Sequence, residues 1–363
     1  MRHGRFGMIN KKFWQGKKVF LTGHTGFKGS WLSIWLNQLG ANVKGYSMEA
    51  PTDPSLFNVA KIENIVESVI GDVRDYAYLK ENIDSFLPDI VIHMAAQPLV
   101  RYSYIEPIET YETNIMGTVN LLEASKNCAS IKAVVVITTD KCYENNEWIW
   151  AYRENEPMGG HDPYSSSKGC AELIVSSYRN SFFNQKGIGL ASARAGNVVG
   201  GGDWAQDRLI PDILRAFERN KPVQIRSPKA IRPWQHVLEP LAGYLILAEK
   251  LFKNNAKYGE AWNFGPNEID SKSVSAILDL MVDFWGKASW GVDENFNHPH
   301  EANFLKLDIS KAKNFLNWSP IWSIEQSLEK IVFWHKAWLR GDDMLIHCQQ
   351  EIKEFSSNLK YEN

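Results

Sequence analysis

The chain has 363 residues, with 40 Lys+Arg against 42 Asp+Glu and a net charge of −2. At roughly 100–200 residues per domain, this length fits two domains, or one large α/β domain with an elaborated end. The charge balance argues against a dedicated nucleic-acid binder, which shows a basic excess, and 44% hydrophobic with 23% charged residues excludes global disorder and a collagen-like fibre.

A chain of this size buries about three quarters of its unfolded surface, so it needs no disulfide or structural metal. Its cysteines, Cys128, Cys142, Cys170 and Cys348, form no Cys-x-x-Cys pair. Spread thiols of this kind fit a reducing cytoplasm and give no metal site. Residues 1–18 are basic and lack the apolar core of a secretory leader, and Met8 is an alternative start. No uncharged apolar run approaches the roughly 18 residues of a membrane span.

Along the chain, residues 17–22 predict a strand and 27–39 a helix. Further strands are expected at 42–47, 68–71, 89–95, 133–139 and 187–194, with helices at 76–86, 105–127 and 165–184 between them. Continuous apolar runs such as Ala133-Val134-Val135-Val136-Ile137 suit a parallel sheet covered on both faces. The β-α-β alternation predicts an α/β, Rossmann-type doubly wound sheet. After residue 194 the rhythm changes. Three consecutive glycines lie in a loop at 196–203, followed by a helix at 209–220, a strand at 223–226, a helix at 240–252 and a strand at 260–264. Helices close the chain near 272–285, 323–339 and 342–355. This pattern predicts a smaller, interleaved C-terminal α/β substrate domain. The expected division is 1–194 with 234–256 returning to it, then 195–233 with 257–363.

Gly23-His24-Thr25-Gly26-Phe27-Lys28-Gly29 follows the first strand and opens a helix. Such glycines either make a simple turn or let the backbone approach a pyrophosphate at the positive helix end. Lys28 is placed to help there, or to lie solvated at the surface. Asp72-Val73 ends the third strand; the carboxylate accepts from an adenine amino group or caps the next helix. Ala95-Ala96-Gln97 ends the fourth strand, where small residues let a cofactor cross or merely pack tightly. Thr139-Asp140-Lys141 ends the fifth, where open α/β sheets bind ligands; a carboxylate beside an amine is an acid/base pair or a turn salt bridge. Tyr164 and Lys168 are spaced i, i+4, on one helix face. An ammonium near the phenol is expected to lower its pKa from ~10 and make it a base near neutral pH.

Together these segments, with Asn114, resemble the extended short-chain dehydrogenase/reductase family, and within it the nucleotide-sugar 4,6-dehydratases of the branch acting on CDP-glucose. Gly159-Gly160-His161-Asp162-Pro163-Tyr164 and Arg232-Pro233-Trp234-Gln235-His236-Val237 carry the resemblance to that branch, and the match reaches about residue 320. The resemblance implies a hydro-lyase that oxidises C4 of the sugar, eliminates water across C5 and C6, and returns hydride to C6. It implies cofactor contacts from Gly23, Thr25, Gly26, Phe27, Lys28, Gly29, Asp72, Val73, Ala95, Ala96, Gln97, Asn114, Tyr164 and Lys168. Tyr164 and Lys168 become the oxidising pair, Thr139 a partner of the 4-hydroxyl, and Asp140 and Lys141 the elimination pair.

Many relatives carry Asp-Glu where this chain has Asp140-Lys141, so Lys141 is either the C5 base or a stabiliser of the enolate. NAD rather than NADP is expected, because no Arg follows the second strand at Ser47-Met48-Glu49, and Glu49 suits a ribose hydroxyl. The substrate diphosphate is assigned to Arg208 and Arg232, with Asn197 beside them; a surface salt bridge is the other reading of each arginine. His300 is a further candidate substrate contact. Trp148 and Trp150 either cover the sugar or pack their loop. The resemblance also implies a homodimer through a four-helix interface formed by 105–127 and 165–184; the sequence leaves open whether dimers pair further. A dTDP-glucose or UDP-N-acetyl-sugar dehydratase, and a non-catalytic NAD-binding sensor on the same fold, are the alternatives.

Overall fold

The computed structural model describes residues 9–225, 227–292 and 305–359. Six strands come in the order of the chain: β1 Lys18–Thr22, β2 Asn42–Ser47, β3 Glu67–Ile70, β4 Ile90–His93, β5 Ala133–Ile137 and β6 Gly189–Ala195. With Ala261–Phe264 they form a seven-stranded sheet, ordered Ala261–Phe264, β6, β5, β4, β1, β2, β3. Every pairing in it is parallel, with Lys18 opposite Asn42 and Val19 opposite Ile90 at its centre.

Side-chain alternation explains why both faces are covered. Val19, Leu21, Ile90, Ile92, Ala133 and Val135 enter one core, with Trp31, Trp35 and Leu241. Phe20, Val91, Val134 and Val136 point the other way, onto Leu79, Ile83, Leu121 and Val175. The first core is covered by the helices Phe27–Gln38 and Leu238–Lys253, the second by Tyr76–Phe86, Gly117–Ser125 and Pro163–Tyr178. The chain order reverses between β1 and β4, and the crevice beyond their carboxyl ends is where such sheets bind ligands.

The helix expected over 105–127 is broken. Val100–Ile105 and Pro107–Tyr111 are separate helices, followed by a π turn at Glu112–Met116 and then Gly117–Ser125. Pro107 lacks an amide proton, so it opens a helix rather than continuing one. The helix expected at 165 starts at Pro163, because the Asp162 carboxylate accepts from Ser165 N at 2.8 Å and caps it there.

A third core, of Ile213, Phe217, Ile277, Leu278, Met281 and Ile331, lies in the C-terminal part. Two short strands lie within 231–237: Ile231–Pro233 pairs with Ser271–Ser273, and Gln235–His236 pairs with Val198–Val199. The helix Met344–Asn358 returns to the first core, where Phe355 meets Trp35 at 5.8 Å between ring centroids. Thus Ala261–Phe264 and Met344–Asn358 both pack with the central sheet, although they follow residue 257.

Candidate active site

The turn after β1 is built around two close approaches. Gly23 has φ +79°, and a Cβ there would lie 2.7 Å from Ala95 N. A Cβ on Gly29 would lie 2.0 Å from Gly23 O, so the helix packs directly on the turn. Gly26, by contrast, meets only Gly23 O at 3.4 Å, and its outer side is open. No side chain caps the Phe27–Gln38 helix. An open glycine before an uncapped helix end fits a pyrophosphate. Thr25 faces inward: its hydroxyl donates to Met48 O at 2.9 Å and lies 2.8 Å from Ser47 Oγ, joining the turn to the end of β2.

Asp72 stands at the end of β3 and does not cap the following helix; Asp75 does. Its carboxylate accepts from Arg74 Nε at 2.8 Å and Nη2 at 2.6 Å. Burial works against ionisation, but these hydrogen bonds outweigh it and hold Asp72 below the usual carboxylate range. Val73 is buried beside Gly117, where a Cβ would meet Val73 Cγ2 at 2.6 Å.

Beyond β4, Ala95 and Ala96 are half-buried. Asn114 clamps the next residue: its Oδ1 accepts from Gln97 N at 2.9 Å, and its Nδ2 donates to Gln97 O at 3.1 Å and Ser167 Oγ at 2.9 Å. Asn114 therefore ties the β4 loop to the helix that carries Tyr164 and Lys168.

Thr139 caps a short 3-10 turn, Asp140–Cys142. Its hydroxyl donates to Asp140 Oδ1 at 3.0 Å. Asp140 is 2% exposed. Burial raises its pKa, with Lys141 and the Thr139 hydrogen bond pulling the other way. Lys141 beside it is half-buried.

Tyr164 and Lys168 lie on the inner face of the Pro163–Tyr178 helix, 9% and 6% exposed. The expectation of a lowered phenol pKa is corrected here. Burial pushes Tyr164 up to about 12; the Thr139 hydrogen bond opposes this, Asp140 adds to it, and Arg208 opposes it. Desolvation of a phenolate outweighs the cations around it. Burial also lowers Lys168 to about 8, against the pull of Glu172.

Lys28 is half-buried. Burial, with Lys168 and Arg208 adding to it, lowers its pKa to about 7, while Asp140 opposes. Its Nζ lies 5.8 Å from the Tyr244 ring centroid. Arg208 pairs with Asp203 at 2.9 Å. Arg232 donates to Ile231 O at 3.0 Å, and its charge acts on Asp140. Asn197 is half-buried in the loop before Val198–Val199, and its carbonyl accepts from Gln235 N at 3.1 Å. His300 lies outside the described residues. Lys28, Lys168, Arg208 and Arg232 thus surround the Tyr164–Asp140 corner, a cationic setting suited to a diphosphate.

A family model described as GDP-mannose 4,6 dehydratase matches residues 20–331. The chain belongs to this family. It is 62% identical over 356 residues to the CDP-glucose 4,6-dehydratase of Salmonella typhimurium, covering 96% of this chain and 99% of that one. Solved structures share the fold. The UDP-glucose 4-epimerase of Thermotoga maritima superposes with a TM-score of 0.77 at 22% identity, over 89% of this chain and 99% of that one. The dTDP-glucose 4,6-dehydratase of Bacillus anthracis gives 0.75 at 23% identity, over 91% and 100%. The GDP-mannose 4,6 dehydratase family match covers the glycine turn, the Thr139–Lys141 turn, and the Tyr164 and Lys168 helix face.

Three residues of this family member carry no assigned role in the sequence reading. Glu172 stands four residues after Lys168 on the same helix face, and that spacing is the signal that points to it. Arg194, inside β6, pairs with Glu172 at 2.7 Å, both side chains nearly fully buried. Tyr143 follows the Thr139–Lys141 turn and accepts from Arg194 Nη1 at 2.7 Å. Trp148 is half-buried, 5.1 Å from the Tyr152 ring centroid, whereas Trp150 is 60% exposed. Trp148 therefore packs its loop.

Proposed function

We propose that this chain is an NAD-dependent hydro-lyase that converts CDP-glucose to CDP-4-keto-6-deoxyglucose. One observation carries this reading. A chain 62% identical over nearly its whole length to a CDP-glucose 4,6-dehydratase buries Tyr164 and Lys168 on one helix face, together with a buried Asp140 that accepts from Thr139.

The glycine turn and the uncapped helix end fit the pyrophosphate of a dinucleotide, with Gly23, Gly26, Phe27, Lys28 and Gly29 around it and Asp72 and Val73 toward the adenine. Bound there, NAD would supply the hydride acceptor for C4 and the hydride donor for C6. Tyr164 takes the proton of the sugar 4-hydroxyl, to which Thr139 is hydrogen-bonded. Burial raises Tyr164 in the chain alone, and Lys168, one turn away on the same helix face, is placed to offset that desolvation as the proton is taken. The 4-ketone acidifies the C5 proton, which Lys141 is placed to remove, while Asp140 protonates the departing C6 hydroxyl. Arg208 and Arg232, with Asn197, hold the diphosphate.

In this reading the nucleotide-binding unit comprises 1–194 and 234–256, and the sugar-binding unit 195–233 and 257–363, with Ala261–Phe264 and Met344–Asn358 lent to the first. The active form is a homodimer. Tyr104, Ile105, Ile108, Leu173 and Phe182 are exposed on or beside the helices Val100–Ile105, Pro107–Tyr111 and Pro163–Tyr178, an apolar surface suited to a second copy in a four-helix interface. No helix among the described residues is long and apolar enough to cross a membrane. With four free cysteines, a cytoplasmic setting is proposed.

A panel of CDP-, dTDP-, GDP- and UDP-sugars tests the assignment. CDP-glucose should lose the mass of one water with no net NADH formed. Faster turnover of dTDP-glucose or UDP-N-acetylglucosamine would overturn the substrate. Stoichiometric NAD binding without turnover of any sugar would favour a sensor.

A further inference from the structure

The Glu172 carboxylate gathers three groups, from the end of β5 and from β6. It accepts from Thr138 Oγ1 at 2.5 Å, Ser192 Oγ at 2.8 Å and Arg194 Nη2 at 2.7 Å. Thr138 immediately precedes Thr139 at the end of β5, and Ser192 and Arg194 belong to β6. Glu172 itself belongs to the helix face of Tyr164 and Lys168, one turn beyond Lys168. Arg194 turns its other fork outward: Nη1 donates to Tyr143 Oη at 2.7 Å and to Glu154 O at 3.0 Å. Tyr143 then donates to Asn263 Oδ1 at 2.8 Å.

The turn bearing Asp140 and Lys141 is poorly held by its own backbone. Its local hydrogen bonds, Lys141 N to Thr139 Oγ1, Cys142 N to Thr139 O and Tyr143 N to Asp140 O, are all 3.4 Å long, beyond the usual 2.7–3.2 Å for N–H···O. Apart from the Thr139 hydroxyl donating to Asp140 Oδ1 at 3.0 Å, the short contacts come from outside it. They are the two hydrogen bonds of the Tyr143 hydroxyl and the one from Gly159 N to Cys142 O at 2.9 Å. The Tyr143 ring also stacks on Tyr152 at 5.2 Å and faces the Arg194 guanidinium at 4.9 Å.

We propose that Glu172, Arg194 and Tyr143 are positioning residues that hold the two halves of the active site in register, the Tyr164/Lys168 helix face and the Asp140–Lys141 turn. A guanidinium is a planar, rigid fork, so binding Glu172 through one nitrogen and Tyr143 through the other sets the spacing between the halves. A buried ion pair gains little stability over apolar residues of the same volume, and here its gain is geometric. The division of labour follows from the connections. Glu172 serves the oxidation side through the helix, and Tyr143 serves the elimination side through the turn two residues before it. The inference rests on the dehydratase reading.

Tyr143→Phe removes only the hydroxyl and leaves the ring stack. In this variant elimination should slow about 10- to 100-fold, the scale of a displacement of roughly 1 Å at reacting groups, while the first hydride transfer stays near that of the parent. Reduced cofactor should build up on the enzyme, and solvent-deuterium exchange at C5 should fall with KM little changed. Hydrogen exchange of the 140–143 amides, measured without cofactor or substrate, should quicken while the rest of the sheet is unaffected. Arg194→Lys keeps the charge but loses the fork, and should slow both steps. Equal slowing of both steps in Tyr143→Phe, or an unchanged ratio with unchanged amide exchange, overturns the proposal; Tyr143→Phe decides alone if Arg194→Lys does not fold. Failure of the parent chain to turn over CDP-glucose would instead count against the dehydratase reading.

Discussion

Asp140 reaches its place because Gly196 has no side chain: a Cβ on Gly196 would lie 2.9 Å from Asp140 Oδ2 and 3.2 Å from Pro233 Cγ. The glycine is the space that the carboxylate fills. Gly196→Ala should therefore displace Asp140 without disturbing the sheet. We expect kcat on CDP-glucose to fall about 10- to 100-fold, with NAD affinity and thermal midpoint close to those of the parent. Parent-like kcat would show that Asp140 need not hold this position.

Tyr164→Phe removes the hydroxyl proposed to take the proton but keeps the ring. Turnover should drop by about 10²–10⁴-fold, the usual cost of losing a general base. Binding of the nucleotide sugar, measured by calorimetry, should persist. Near-parental turnover would take Tyr164 out of the mechanism.

Lys141→Met separates the two chemical steps. An amine that accepts the C5 proton is needed for elimination but not for the first hydride transfer. The variant should accumulate enzyme-bound NADH and lose solvent-deuterium exchange at C5. Product formation with normal C5 exchange would leave Lys141 as a stabiliser of the enolate and pass the base role to another group.

Lys28 predicts a pH signature in stability. Burial lowers its pKa to about 7 from an ordinary 10.5. The folded state thus binds fewer protons than the unfolded chain between these values, and stability rises with pH where the unfolded state binds more. The cost of desolvating the half-buried ammonium is fully present below pH 7 and is relieved as pH climbs toward 10.5. In urea titrations from pH 7 to 9.5, the parent should gain stability relative to Lys28→Met. A constant difference across that range would place Lys28 in solvent.

The strands and most helices of the first half are legible in the sequence because each strand is a short apolar run and each helix repeats its apolar residues with its own period. The local motifs are legible for a related reason: a glycine turn, an i, i+4 pair and a strand-end triplet are defined by neighbours in the chain. The break at Pro107 follows from proline chemistry but is masked by the apolar pattern running through 105–127, and only packing shows where the helix stops. Charge state was not legible at all. Tyr164 is raised rather than lowered because burial, set by the whole fold, outweighs the cations beside it. Lys28 could have been a surface residue until the Phe27–Gln38 helix placed it opposite Tyr244, on a helix more than two hundred residues away in sequence. The Glu172–Arg194–Tyr143 connection joins a helix, a strand and a turn that no spacing relates. Contacts of that kind depend on how the parallel strands stack, and only the tertiary structure decides them.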